Sequence, residues 1–339
     1  MYNFVRINPT SEQWEEIEST YDATVDKTHA IMQYVAAQNN TPFVLSVYKD
    51  EHIYGYFVGE IVVRAGWKIL GSSFFGLGIA HQGLSMLQRI SADERIDIYK
   101  ELAEWVFKNR YAVWIEIADW ELNMDDCEKR KVIYYQGHDT GYVDLLQDEE
   151  TLLHNLNYKS CRYMINKATK LGVYVRETTD PEQFLEVHWA QHEDVMKRKG
   201  LIPPKPKSNL KKLIDAAYPK HLQLLEAVNP EGKIVSTLMT TFDNHNAHFF
   251  ARASFGEDLK WSPNELIMWE SIIRSKAAGA KFFNMSGVGS FKLKFGSTRL
   301  YKPRLIFSKY KWLFSVREMA WRFYHRFRNV FAKHGLWMK

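Results

Sequence analysis

Cysteine is almost missing from this chain. Its 339 residues hold two, Cys127 and Cys161, with no metal-ligand spacing and no histidine placed beside either in a nucleophile pattern. That speaks against a disulfide-stapled scaffold or a cysteine-ligated metal, so no metal site is expected, and it suits a reducing compartment. Long apolar runs are missing too. No stretch reaches the roughly 18 residues of a membrane span, and the longest, around residues 69–87, is broken by Gly71, Gly76, Gly78 and Gly83. Met1 to Ile7 reads as a short strand rather than a basic segment leading into an apolar one, so no signal peptide and a cytoplasmic location are expected. Acids are scarce at one end only. From Lys309 to Lys339 there are eight Lys and Arg against one acid, Glu318. That stretch alone carries +7 of the chain's net +5, leaving the body at −2. The basic balance therefore describes an appendage and not the surface of the whole protein.

What is present is ordinary globular material, long enough for two cores. In the first half, residues 4–7 read as a strand and 11–19 as a helix with Ser11 as N-cap. A second helix covers 29–37, hairpin strands follow over 43–48, 54–64 and 67–70, a helix over 92–108, and a strand over 113–117. The second half repeats the order. A strand over 141–145 precedes a long helix from Asp148 to Leu171 closed by Gly172, then a strand over 173–177. Helices over 181–199 and 209–217 flank an extended link, 201–206. A meander over 222–227, 233–242 and 247–253 leads to a helix over 262–278 and a strand over 282–285. The expected fold is α/β (α+β): domains over 1–140 and 141–308, each a mixed, largely antiparallel sheet flanked by helices, with a basic helix over 309–339.

Three segments can carry chemistry. Ser262-Pro263-Asn264-Glu265 reads as a capping box, whose free N–H groups suit a donor phosphate; it also describes a plain core helix. Phe291-Lys292-Leu293-Lys294-Phe295-Gly296 alternates as a strand with Lys292 and Lys294 on one side. A fixed lysine there can stabilise charge on an acyl carbonyl, and an exposed lysine face has the same pattern. In the helix from Asn157 to Lys170, Lys159, Arg162, Asn166 and Lys170 fall on one stripe, fit either for a diphosphate or for solvent. His248, Asp119 and Glu116 are the candidate bases.

Together these segments resemble the FemAB and CelD-like acetyltransferase relatives of the GNAT superfamily. Arg162 to Val173 is similar to their R-x-x-I-x-K-A-x-K-x-G-V helix, and Ser262 to Gly296 to their S-P-x-x-L…F-K-x-x-F-G ending. The resemblance covers roughly residues 140–305 and implies two GNAT-like domains. It implies an acyltransferase with Lys292 as the catalytic residue, Ser262, Asn264 and Lys294 toward the donor, and Lys159, Arg162 and Asn166 toward the acceptor. The implied co-substrate is acyl-CoA, with acetyl-CoA foremost and nothing bound permanently. The implied acceptor is an amine on a sugar or a cell-envelope polysaccharide precursor. Two alternatives stand beside it: an aminoacyl-tRNA-dependent aminoacyltransferase of peptidoglycan synthesis, which would make tRNA the one nucleic-acid partner, and a non-catalytic scaffold at the membrane. The helical arm of the tRNA-dependent branch is absent between Asp180 and Tyr218, the strand Phe283-Asn284-Met285 carries no acid, and the Q/R-x-x-G-x-G/A acyl-CoA loop is missing.

In the basic tail, Val316, Met319, Ala320, Phe323, Phe327, Val330 and Phe331 form an apolar stripe flanked by Arg317, Arg322, Arg326 and Arg328. Such a stripe suits peripheral contact with the inner face of a membrane or docking on the body.

Overall fold

The computed structural model describes residues 1–64, 66–71, 83–201, 203, 206–243 and 245–333. Most of the glycine-rich stretch, part of the 201–206 link and the last six residues of the tail lie outside these.

The first half runs β1 (Tyr2–Ile7), α1 (Ser11–Ser19), α2 (His29–Ala37), β2 (Thr41–Lys49), β3 (His52–Arg64), β4 (Trp67–Gly71), β5 (Gly83–Met86), α3 (Ala92–Lys108), β6 (Trp114–Ala118), α4 (Met124–Lys129) and β7 (Tyr134–Asp144). The second runs α5 (Glu149–Asn155), α6 (Tyr163–Lys170), β8 (Tyr174–Glu177), α7 (Pro181–Arg198), α8 (Lys207–Ala217), β9 (Leu222–Val228), β10 (Ile234–Phe242), β11 (Asn246–Ala253), α9 (Pro263–Ala277), β12 (Phe282–Asn284), α10 (Ser290–Leu293), β13 (Thr298–Ser308) and α11 (Trp312–Lys333). This is a mixed α/β fold with a large mixed sheet flanked by helices. Helix α3 shows how the sequence dictates an element. Ser91 Oγ accepts a hydrogen bond from Glu94 N–H, acids occupy the first turn, and Ile96, Tyr99, Leu102 and Val106 form its buried stripe. In α1 the cap is Thr10, one residue before the expected Ser11, and Gln13 completes a capping box.

Among the described residues the strands form one sheet in the order β1-β2-β3-β4-β6-β13-β7-β12-β11-β10-β9-β8, with β5 pairing β3 off this path. The order reads alike from both ends. Each half is an antiparallel meander followed by one parallel step, β4 to β6 and β11 to β12. The closing strands are exchanged: β7 joins β12 of the second half, and β13 returns to pair β6 of the first. The 140/141 boundary falls inside β7.

Two apolar cores centre on the halves, with Leu305 of β13 joining the first and Val143 of β7 joining the second. A third joins Ile17, Met32 and Val35 of the first half to Phe184, Leu213 and Met239 of the second. This shared core and the continuous sheet hold the halves at one spacing and so define the cleft between them.

Candidate functional site

Between the halves lies a cleft of about 480 Å³. Its floor is a charge network. The Arg95 guanidinium, fully buried, pairs with Asp22 and, at 2.9 Å, with Asp119. Tyr99 OH donates to Asp119 at 2.5 Å, and the buried Lys27 ammonium donates to the Leu84 carbonyl at 2.7 Å. Burial opposes ionisation of Asp119, but the charge of Arg95 and the Tyr99 hydrogen bond outweigh it and hold the carboxyl below its usual range. Burial lowers the Lys27 pKa, and the neighbouring Asp22 and Asp119 oppose that shift. Asp119 is therefore ionised but fully engaged, and Glu116 is turned toward Arg304 (3.2 Å) and Arg317 (3.3 Å) and does not line the cleft. Of the three candidate bases, His248 stands at the cleft with a partner suited to the role: its Nε2 lies 3.4 Å from Asp243. Trp120, Tyr142 and Phe282 form an aromatic wall, with the Tyr142 and Phe282 rings stacked at 4.5 Å.

The cleft reaches the point where β11 and β12 part. These strands pair only over Asn246↔Phe282, Ala247↔Phe283 and His248↔Asn284. The last pair lines the cleft. Beyond it Asn284 Oδ1 accepts hydrogen bonds from Thr140 Oγ1 (2.5 Å) and Ser286 N–H (2.8 Å), and fixes the turn that follows. The Ser286 carbonyl accepts from Lys292 Nζ at 2.7 Å, and the ammonium sits 4.7 Å from the centre of the Phe249 ring. Burial, and after it the nearby charge of Arg252, lower the Lys292 pKa to about 8.

Arg252 is a residue that the sequence reading missed. Its guanidinium stacks on Phe291 at 4.0 Å, its Nη1 is buried without a hydrogen-bond partner, and burial lowers its pKa to about 10. The β10–β11 register slips by one at Phe250, and this bulge lets Phe249 and Arg252, of opposite parity along the strand, meet neighbouring residues of α10. A period-two reading of β11 would separate them.

The expected residues divide. Lys292 and Lys294 do not share one face of a strand, because Ser290–Leu293 is a helical turn, with Phe291 and Phe295 in contact at the i, i+4 spacing of a helix. Lys292 turns to Ser286, while Lys294 pairs with Glu265 in the first turn of α9. Ser262 is not a side-chain cap. It adopts φ 55°, and its Oγ is buried and unpaired. Asn264 Oδ1 accepts from Ser236 at 3.3 Å. The stripe of Lys159, Arg162 and Asn166 is interrupted. The helix stops at Asn155, residues 158–162 form a π turn, and α6 restarts at Tyr163, so the regular 100° step is lost. Lys159 and Asn166 are exposed, Arg162 stacks on Tyr158 at 4.9 Å, and none of the three lines the cleft. Burial pushes the Cys161 thiol up to about 12, so it is a packing residue. No cluster of metal-ligating side chains occurs among the described residues.

Residues 157–294 match the family described as an acetyltransferase (GNAT) domain. No curated protein matches the chain in sequence. Among solved structures, FemX superposes with a TM-score of 0.74 at 12% identity, covering 92% of this chain and 99% of FemX. L-PGS from Bacillus licheniformis gives 0.57 at 12% identity, over 97% of this chain and 98% of that one. The C-terminal domain of a protein named as a lysylphosphatidylglycerol synthetase, from Agrobacterium fabrum, gives 0.56 at 11% identity, over 88% and 93%. These likenesses establish a GNAT-like fold.

Proposed function

We propose that this protein is an acyltransferase that passes an acyl group from a CoA thioester to an amine, with a sugar or cell-envelope glycan precursor as acceptor. One observation carries the reading: the cleft between the halves ends at His248 and Asn284, the last pair before β11 and β12 part, and Lys292 stands just beyond. An acceptor in the cleft and a carbonyl brought into the gap would meet there. The aromatic wall of Trp120, Tyr142 and Phe282 offers a stacking face for a sugar ring. In the step itself the acceptor nitrogen attacks the carbonyl carbon. The oxyanion is stabilised by the Lys292 ammonium, its collapse breaks the carbon–sulfur bond and releases CoA as the thiolate, and the proton lost from nitrogen passes to solvent or to His248. Ser262, Asn264 and Lys294 stay on the donor side of this reading through the start of α9. The acceptor-side assignment of Lys159, Arg162 and Asn166 passes to the cleft residues.

A specific observation favours a second donor. Arg252 and Lys292 bring two cations close together, and Glu265, whose charge acts on Arg252, is already paired with Lys294. CoA holds its pyrophosphate a whole pantetheine arm from the thioester, whereas an aminoacyl ester on a terminal nucleotide keeps a phosphate close to the carbonyl. The likeness to a protein named for lysylphosphatidylglycerol synthesis supports the same donor class.

The test is a mass-shift assay on amino-sugar acceptors with acetyl-CoA or aminoacyl-tRNA, wild type against Lys292→Ala. Transfer that depends on Lys292 with either donor supports the reading and selects the donor. Full activity in Lys292→Ala refutes the Lys292 site, and transfer with neither donor refutes the reading and leaves the non-catalytic scaffold.

A further inference from the structure

The first turns of α11 are pinned to the body on one side. The Phe314 ring lies 4.9 Å from Trp114, and Arg317 pairs with the buried Glu116 at 3.3 Å. Val316, Met319 and Phe323 stand about half a turn round the helix from these anchors. They are 45%, 65% and 56% exposed. Docking on the body thus uses one face of α11 and leaves an apolar face outward.

That face does not stand alone. Trp312, at the start of α11, meets Trp67 edge-on at 5.9 Å, and Tyr310 stacks on Trp312 at 6.1 Å. Trp67 pairs with Arg64 at the end of the β3–β4 hairpin, next to Val63 and Lys68. Val63, Trp67, Tyr310 and Trp312 are all exposed. Exposed cations accompany them: Arg64, Lys68 and Lys311 by the hairpin, Arg322 and Arg326 along the helix. The acid on α11, Glu318, faces Arg317 at 3.3 Å. Two separate elements therefore present aromatic, aliphatic and cationic groups together.

We propose that the outer face of α11 and the tip of the β3–β4 hairpin form one docking surface for an anionic lipid bilayer, with the helix lying in the plane of the interface. Trp and Tyr favour the headgroup level, lysine and arginine stems reach past apolar neighbours toward phosphate, and Val316, Met319 and Phe323 enter the acyl boundary. The charge of the patch is complementary to an anionic leaflet. A nucleic acid would match the cations but leave the exposed aliphatic groups unpaired with anything. The contact is peripheral, because no helix among the described residues is long and apolar enough to cross a membrane.

The test uses the full chain and needs no transfer activity. Sedimentation is measured with vesicles of phosphatidylcholine alone and of phosphatidylcholine with phosphatidylglycerol, at low and high salt. The expected result is binding to the anionic vesicles, weakened by salt, with a blue shift of tryptophan emission. Met319→Asp with Phe323→Asp, and separately Trp67→Ser on the hairpin, should each lower the partition coefficient by about tenfold or more. All three sites are exposed, and circular dichroism confirms the fold of each variant. Failure of the wild type to bind anionic vesicles overturns the proposal, whether the protein instead shifts RNA in a gel or self-associates. Undiminished binding by folded variants of both kinds overturns it equally.

Discussion

Burial and the Arg252 guanidinium both oppose the charge on Lys292, whose pKa falls from its ordinary 10.5 to about 8. A group kept where its ionised form is disfavoured is a sign of function when it also lies beside a cleft. Lys292→Met should lower kcat/KM by about 10²-fold or more, the size of a lost oxyanion donor. It should also stabilise the fold at pH 7 by about 1 kcal/mol after discounting for partial exposure. The sign of the pH dependence is fixed. Between about pH 8 and 10.5 the unfolded chain holds a proton on this lysine that the folded chain has released, so its contribution to stability rises with pH. The advantage of Lys292→Met in chemical denaturation should therefore be full below pH 8 and shrink toward pH 10. Activity moves the other way. If the ammonium stabilises the oxyanion, kcat/KM falls as pH rises through about 8. Arg252→Gln removes a like charge and should carry that falling limb to higher pH, with Glu265 and Lys294 still paired nearby. A limb that stays in place in Arg252→Gln would separate Lys292 from the pH profile.

At the scale of elements, what was legible in the sequence followed periodicity, and what was hidden followed local exceptions to it. Helix α3 was readable residue by residue because its apolar spacing, its serine cap and its acidic first turn agree. Helix α9 was readable in extent but not in its start. Ser262 adopts a left-handed conformation ahead of Pro263, and Glu265, expected to close a capping box, pairs with Lys294 instead. The two readings of this residue differ in sign. If Ser262 were a cap, Ser262→Gly would cost a few tenths of a kcal/mol and Ser262→Ala about 1 kcal/mol. In the observed geometry glycine relieves both the positive φ and a buried unpaired hydroxyl, so Ser262→Gly should raise stability by about 0.5–1 kcal/mol while Ser262→Ala keeps the strain. Urea midpoints of the two variants decide between them. The Phe291–Phe295 segment misled for a related reason: five residues with aromatics at both ends and a leucine in alternation between them fit a strand and a helical turn alike, and the flanking Gly289 and Gly296 favour the short turn.

At the scale of the whole molecule, the repeated order of strands and helices was visible in the sequence, but the exchange of closing strands was not. Nothing in the composition of residues 298–308 says that β13 returns across the sheet to lie between β6 and β7. Long-range pairing leaves no local trace beyond an extended, partly apolar segment. The exchange has a thermodynamic consequence. Unfolding the second half would strip β13 from β6 and expose the edge of the first, and would halve the core shared by Met32, Val35, Leu213 and Met239. Unfolding the first half would do the same to β7 and β12. The halves are thus too interlocked to melt apart. Calorimetry should show one transition whose calorimetric and van't Hoff enthalpies agree, as for a single cooperative unit. Residues 1–140 expressed alone should fail to give a folded product, because both the β13 pairing and half of the third core are missing. Two resolved transitions, or a fragment 1–140 with native-like near-ultraviolet dichroism, would mean that each half completes its own sheet. The cleft at their junction would then be a hinge, whereas one transition makes it a rigid seat in which His248 and Asn284 keep their spacing to each other and to Lys292 outside it, whether or not an acceptor is bound.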